Sequence, residues 1–220
     1  MFRRLLIAIF VFAVCAGISQ PIASVQAQSA QQAGSEAISC RITASGVSVR
    51  QVQLKVGVAD DGVLGPITCN AIKSYQCTKN LSVDGNVGPI TWGVMQGNTP
   101  PRGPRICVDL NNQKLWLSKN GVRTYTAQRM RSGDPRLSNS ENTKTGNHSI
   151  YYKDIDHISS IFGSPMPYSM FFYGGQAIHE STFSTPGSHG CINITRNDAK
   201  KLWNNSPVGT PVSVWGARPL

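Results

Sequence analysis

"RICVDLNNQKLWLSKNGVRTYTAQRM", Arg105 to Met130, alternates apolar and polar side chains: Ile106, Val108 and Leu110, then Leu115 and Leu117, around turns at Asn111-Asn112 and Asn120-Gly121. A period of two interrupted by Asn and Gly is the pattern of a β-meander in which each strand buries one face. The pattern continues through "HSIYYKDI", "MFFYGGQAIHE" and "TPVSVWG". One stretch reads as a helix, "TRNDAKKLWNN", with Thr195 as its cap and Asp198 at the third helical position, where a carboxylate suits an N-terminus. Residues 105–216 therefore predict a mostly-β sandwich or closed barrel carrying one helix.

Upstream, Asn98 to Pro104 is rich in Pro and Gly and marks a linker between two domains. Beyond it lies an internal repeat. "DDGVLGPIT" (Asp60–Thr68) and "VDGNVGPIT" (Val83–Thr91) align Asp61 with Asp84, Gly62 with Gly85, Gly65 with Gly88, Pro66 with Pro89 and Thr68 with Thr91, all at a spacing of 23. In each copy Asp-Gly makes a turn with positive φ and Pro opens a helix at its first turn. Ile67, Ala71, Ile72 and Tyr75 recur at helical spacing after the first copy, and Val49, Val52, Leu54 and Val56 suggest a helix before it. Residues 45–97 thus predict a small three-helix bundle, with disulfides among Cys40, Cys69 and Cys77 as staples for a marginal core. Residues 28–44 read as a flexible lead-in.

The first 27 residues order two arginines, an apolar run from Leu5 to Gly17, and small residues ending at Ala27. That order predicts a secretory signal cleaved after Ala27, and export to the periplasm or cell wall without stable membrane insertion. The chain carries 21 Lys+Arg against 11 Asp+Glu, a net charge of +10; without its two signal arginines the count is 19 against 11. No dense basic run with interleaved aromatics appears, so the charge suits a polyanionic envelope better than nucleic acid. Beyond Cys15 five cysteines remain: Cys40, Cys69, Cys77, Cys107 and Cys191. In an oxidising compartment four can pair, in any of three connectivities, and one is left over.

Local chemistry points to Cys191 as that thiol. It stands in "HESTFSTPGSHGCIN", His179 to Asn193, with two histidines close in sequence. A cysteine mostly protonated at neutral pH needs a base or a positive neighbourhood to become a nucleophile. His179, at a strand end, is the better-placed base, and Gly190 allows backbone N–H groups to face an oxyanion. Two other readings of these residues stay open: zinc ligation by His179, His189 and Cys191, although no CxxC or HxxxH spacing supports it, and a disulfide to Cys191.

"IHESTFSTPGSHGCINI" resembles the signature of the L,D-transpeptidase family with its YkuD-type catalytic domain. "ICVDLNNQKLWLSKNG" resembles the family's opening strand pair, "TKTGNHSI" its Thr-x-Thr-Gly turn and "MPYSMFFYGGQAIH" the strand entering its site. The duplicated "VDG..GP.T" turn resembles a peptidoglycan-binding domain. The resemblance implies an envelope acyltransferase acting on peptidoglycan stem peptides and needing no cofactor and no metal. Cys191 is then the nucleophile and His179 its base. Glu180 orients the imidazole through its backbone carbonyl, His189 lines the site, and the N–H groups of Gly190 and Cys191 hold the oxyanion. Ser188 and Asn193 belong to the same signature; Met166, Tyr168 and Phe171 or Phe172 are expected to wall the donor groove. The Glu180 carboxylate, where many members have Gly or Ser, is expected to raise the imidazole pKa or shape substrate choice. The acceptor (a second stem, water or a protein amine) shares every one of these residues. A wall-binding protein with an inactive catalytic half is the competing reading from another class.

Overall fold

The computed structural model describes residues 40–137, 142–185 and 187–219, so the expected signal and most of the expected lead-in lie outside the described residues. The elements begin with β1 (Arg41–Ile42), α1 (Val49–Val56), α2 (Pro66–Thr78), β2 (Asn86–Val87) and α3 (Pro89–Met95). α2 and α3 both start on the proline of a repeated turn, and α1 is closed at its N-terminus by a capping box between Ser48 and Gln51. This is not a bundle of helices alone. β1 and β2 pair in parallel, so the last residues of the expected lead-in are structured, and Val52, Ile72, Val87 and Met95 from both kinds of element share one small core. Ile67 and Leu54, expected on apolar faces, are exposed at 77% and 66%; α2 instead turns Ile72, Gln76 and its two cysteines inward.

Two buried glutamines explain the repeat. Gln53 Nε2 donates to Asp61 Oδ1 (2.6 Å) and Thr68 Oγ1 (3.0 Å), while its Oε1 accepts from Gly62 N (2.9 Å). Gln76, 23 positions on, does the same with Asp84 (2.8 Å), Thr91 (3.5 Å) and Gly85 N (2.9 Å). Gly62 and Gly85 take φ of 80° and 76°, the left-handed region that the turn requires. Each glutamine thus sits on the helix before a turn and satisfies that turn's donors and acceptors internally. α2 serves both copies: its first turn follows one, and its last turn clamps the next.

The β half runs β3 (Pro104–Asp109), β4 (Lys114–Lys119), β5 (Val122–Thr126), β6 (Met130–Arg131), β7 (Gly146–Ser149), β8 (Tyr152–Ile158), β9 (Pro165–Tyr173), β10 (Gln176–Glu180), β11 (Ile192–Ile194), α4 (Arg196–Asn205) and β12 (Pro211–Trp215). β3 to β5 form the expected antiparallel meander, with Asn120 and Gly121 at φ 53° and 77° making its second turn. Two five-stranded sheets result, ordered β5-β4-β3-β12-β7 and β6-β11-β10-β9-β8. Ile106, Val108, Leu115 and Val212 of the first sheet and Met170, Ile178, Ile192 and Ile194 of the second bury one core between them, joined by Ala199 and Leu202 of α4. The result is a sandwich. Thr195 caps α4 by accepting from the Asp198 N–H.

Among the described residues the disulfides are Cys40–Cys69 and Cys77–Cys107, leaving Cys191 free. The second departs from a staple confined to the helical part: it fastens α2 to β3. Around it Cys77, Cys107, Trp116 and Trp215 form a second apolar cluster on the sheet face away from the shared core, with Asn70 bonded to Asp109 (2.9 Å) and to Trp215 Nε1 (2.8 Å). The Pro/Gly segment read as a linker is pinned too: Asn80 Nδ2 donates to Arg102 O (2.9 Å), and Gly103 N to Asn120 Oδ1 (2.9 Å). All described residues belong to one compact unit.

Candidate active site

β10 and β11 run parallel with Ile178 opposite Ile192 and His179 opposite Asn193. The isoleucines enter the shared core, so period-two alternation turns His179, Asn193 and, two residues earlier, Cys191 to the outer face of the sheet. β6 pairs with β11 on its other side, placing Arg131 opposite Asn193. Three adjacent strands thus present Arg131, Asn193 and His179 as one row, with Cys191 a diagonal step from His179.

The row is hydrogen-bonded along its length. Arg131 Nε donates to Asn193 Oδ1 (2.8 Å), Asn193 Nδ2 lies 2.8 Å from His179 Nε2, and His179 Nδ1 lies 2.7 Å from the Glu180 carbonyl. A carbonyl only accepts, so Nδ1 carries the proton and Nε2 accepts from the amide. His179 is buried, and that burial pulls its pKa from 6.5 down to about 4, against the raising effect of the Glu180 carbonyl. Cys191 is half-buried beside Met166, Phe171 and Ala177, and burial pushes its thiol up, opposed by the Ala177 N–H. Ala177 stands alongside Cys191 in the continuation of the parallel β10–β11 register. The resting pair is a neutral thiol and a neutral imidazole.

A cavity of about 460 Å³ opens over these groups, lined by Arg131, Met166, His179, Ser188, His189, Cys191 and Asn193 among others. His189 is exposed and stacks on Phe162, ring centroids 4.3 Å apart. Ser188 Oγ donates to the Cys191 carbonyl and accepts from Gly190 N (3.2 Å), so the Gly190 N–H expected to be open for an oxyanion is engaged in this state. Gly190, at φ 125°, is the one residue type that fits there: a Cβ would stand 2.9 Å from Gln176 Nε2. Thr143 braces the same loop, taking the Gly133 N–H and donating to Gly190 O (2.9 Å).

Three expectations need correction. Tyr168 does not line the cavity; it packs on the shared core and Trp203, on the side of Met170, whereas Met166 two residues earlier faces the cavity, because a φ of 57° at Tyr168 interrupts the alternation of β9 there. Phe172 likewise belongs to the inter-sheet core, and Phe171 lies behind the thiol rather than in the cavity wall. The Glu180 carboxylate, one residue from His179, points the other way, to Arg196 of α4 at 3.3 Å. What raises the imidazole pKa is the Glu180 backbone carbonyl and not the carboxylate, and the net shift is downward. Arg131 escaped the sequence reading: its contact with Asn193 joins strands 62 residues apart, and no local motif signals it. Among the described residues no group of three His, Cys, Asp or Glu is arranged to hold a metal ion, and no helix is long and apolar enough to cross a membrane.

Comparison with known proteins gives the chain a family. The family model of the L,D-transpeptidase catalytic domain matches residues 103–214, just over half of the chain, and that of a putative peptidoglycan binding domain matches residues 48–95. An L,D-transpeptidase of Stackebrandtia nassauensis is 26% identical, with a TM-score of 0.50, over 82% of this chain and 95% of its own. A crystallised L,D-transpeptidase fragment from Xylanimonas cellulosilytica is 25% identical (TM-score 0.47, over 80% and 96%), and the Enterococcus faecium L,D-transpeptidase C442S mutant is 29% identical (TM-score 0.46, over 52% and 50%). No curated protein matches.

Proposed function

Because the chain belongs to the L,D-transpeptidase family, we propose that it is an exported cysteine acyltransferase that forms 3–3 cross-links in peptidoglycan. The observation that carries this reading is the free thiol of Cys191 set on the same sheet face as His179, both lining one cavity of about 460 Å³. Cys191 Sγ attacks the carbonyl of the third residue of a tetrapeptide stem as its proton passes to His179 Nε2. The C–N bond to the terminal D-alanine breaks, the imidazolium protonates the departing amine, and a thioester remains. The side-chain amine of a second stem then attacks the thioester, giving up its proton to His179 and restoring the thiol. Ser188 and Asn193 hold the nucleophile loop and the base, and Met166 walls the donor side.

The helical part is assigned to docking on the wall, in keeping with its family match. Fastening of α2 to β3 would hold that surface at a fixed attitude to the catalytic sheet.

Mass spectrometry of the protein incubated with purified disaccharide-tetrapeptides tests the reaction. A thioester adduct on Cys191 and 3–3 dimers are expected from the wild type, and neither from Cys191→Ala. Dimers from the variant would remove the thiol from the mechanism; tripeptide without dimer would make water the acceptor.

A further inference from the structure

The mechanism above asks His179 Nε2 to accept the thiol proton, yet its lone pair already receives the Asn193 Nδ2–H at 2.8 Å. The cap is held from behind. Arg131 is only 9% exposed, and its guanidinium is spread over three acceptors: Asn193 Oδ1 through Nε (2.8 Å), Ser181 Oγ through Nη2 (2.9 Å) and the Thr185 carbonyl through Nη1. Two of these lie in the loop that walls the cavity, so the guanidinium is fixed at both ends. A guanidinium has no acceptor, so the Asn193 side chain keeps its oxygen toward Arg131 and its N–H toward the imidazole.

We propose that Arg131 is a positioning residue which, through Asn193, keeps the basic nitrogen of His179 capped and the resting site uncharged. The inference rests on Cys191 and His179 being the reacting pair.

The chemistry follows from donor counting. When the S–H bond breaks and an N–H bond forms at Nε2, the products are a thiolate and an imidazolium. Nε2–H then faces Asn193 Nδ2–H, two donors with no acceptor between them. Turning the amide would relieve this for the imidazole but set its NH2 against Arg131 Nε–H. With Arg131 in place, proton transfer requires the amide to withdraw from Nε2. The guanidinium charge acts in the same sense, and so does His157 on β8, each lowering the imidazole pKa beyond the larger effect of burial. The remaining charged or titratable neighbours are Cys191 itself, His189 across the cavity, and Glu180, whose carboxylate is turned to Arg196.

The test reads the thiol directly. Cys191 is the one free cysteine among the described residues, so its alkylation by iodoacetamide, followed by intact mass and peptide mapping from pH 5 to 9, reports the thiolate population without any wall substrate. Wild type should react slowly until the thiol itself ionises in alkaline solution. Arg131→Met, and separately Asn193→Leu, should react several-fold faster at pH 5, where few thiols ionise unaided and a thiolate paired with an imidazolium makes up most of the reactive population, giving a new limb in the acid half of the profile. A merely structural role for Arg131 would lower the melting temperature and leave the profile of the folded protein where it was. If Arg131→Met does not fold, Asn193→Leu decides, since it removes the cap and leaves the guanidinium. Profiles superimposable on wild type in the folded variants overturn the proposal. Muropeptide turnover plays no part in this readout, so its absence would count only against the proposed function.

Discussion

Acidification should destabilise this fold through His179 in particular. The imidazole is 7% exposed and takes a proton only near pH 4 in the folded protein, against 6.5 for an ordinary histidine. Between those values the unfolded chain holds more protons than the folded one, so stability is complete above pH 6.5 and is lost as pH falls towards 4. One pKa unit is worth about 1.4 kcal/mol, so the gap between 6.5 and about 4 amounts to roughly 3 kcal/mol. That is a large part of the ~5–15 kcal/mol that holds a domain together. His179→Gln keeps a hydrogen-bonding side chain in the row but removes the titration. Guanidinium unfolding of both proteins at pH 7, 6, 5 and 4 should show the wild-type advantage shrinking by about 3 kcal/mol across the series, with a slope of about 1.4 kcal/mol per unit once below the ordinary histidine pKa. Subtracting the variant cancels carboxylates and the other histidines. A difference that stays constant with pH would refute the buried neutral imidazole, and with it the uncharged resting site.

Three further outcomes are expected. Gln76→Leu should cost about 1–3 kcal/mol in chemical denaturation, because the Gly85 N–H and the Asp84 carboxylate lose their internal partner; an unchanged midpoint would mean the clamp is ornamental. Gly190→Ala should abolish thioester formation on Cys191 by mass spectrometry, since a side chain there would be held at a φ of 125° that disfavours it and would stand only 2.9 Å from Gln176 Nε2; normal acylation would show that the loop adapts. Opening Cys77–Cys107 as the double serine variant should cost roughly 3–4 kcal/mol for a closed loop of 30 residues, read as a lower denaturation midpoint.

The sandwich was legible because alternation is a property of neighbouring residues: Ile106, Val108, Leu115 and Leu117 announce their common face without reference to anything distant. The opposite face was not. Cys107 and Trp116 occupy the positions that a one-sided sheet would give to water, and only the packing of α2 across β3 and β4 buries them. His179 and Cys191 stood out through residue type, thiol counting and a family signature. Period two also held unused information, since it separates the Glu180 carboxylate from the imidazole. Gln53 and Gln76 carried a readable signal as well, sharing the 23-residue spacing of the turns, but a polar residue on a helix reads first as a solvent-facing one. Arg131 had none, because its role exists only once β6 and β11 lie in register.

The shared helix sets limits on how this protein can be recombined. α2 ends one turn unit, begins the next, and carries Cys69, bonded to Cys40 just ahead of β1, and Cys77, bonded to the sheet beyond it. One residue inserted between Thr68 and Gln76 would swing Gln76 by about 100° around the axis, stranding the second clamp and the disulfide while leaving the first clamp whole. A graft cut at the Pro/Gly segment would carry away half of a disulfide and uncover two tryptophans on the recipient sheet. Length variation therefore belongs in the outer loops, and a functional cassette begins at Cys40 and ends after Trp215.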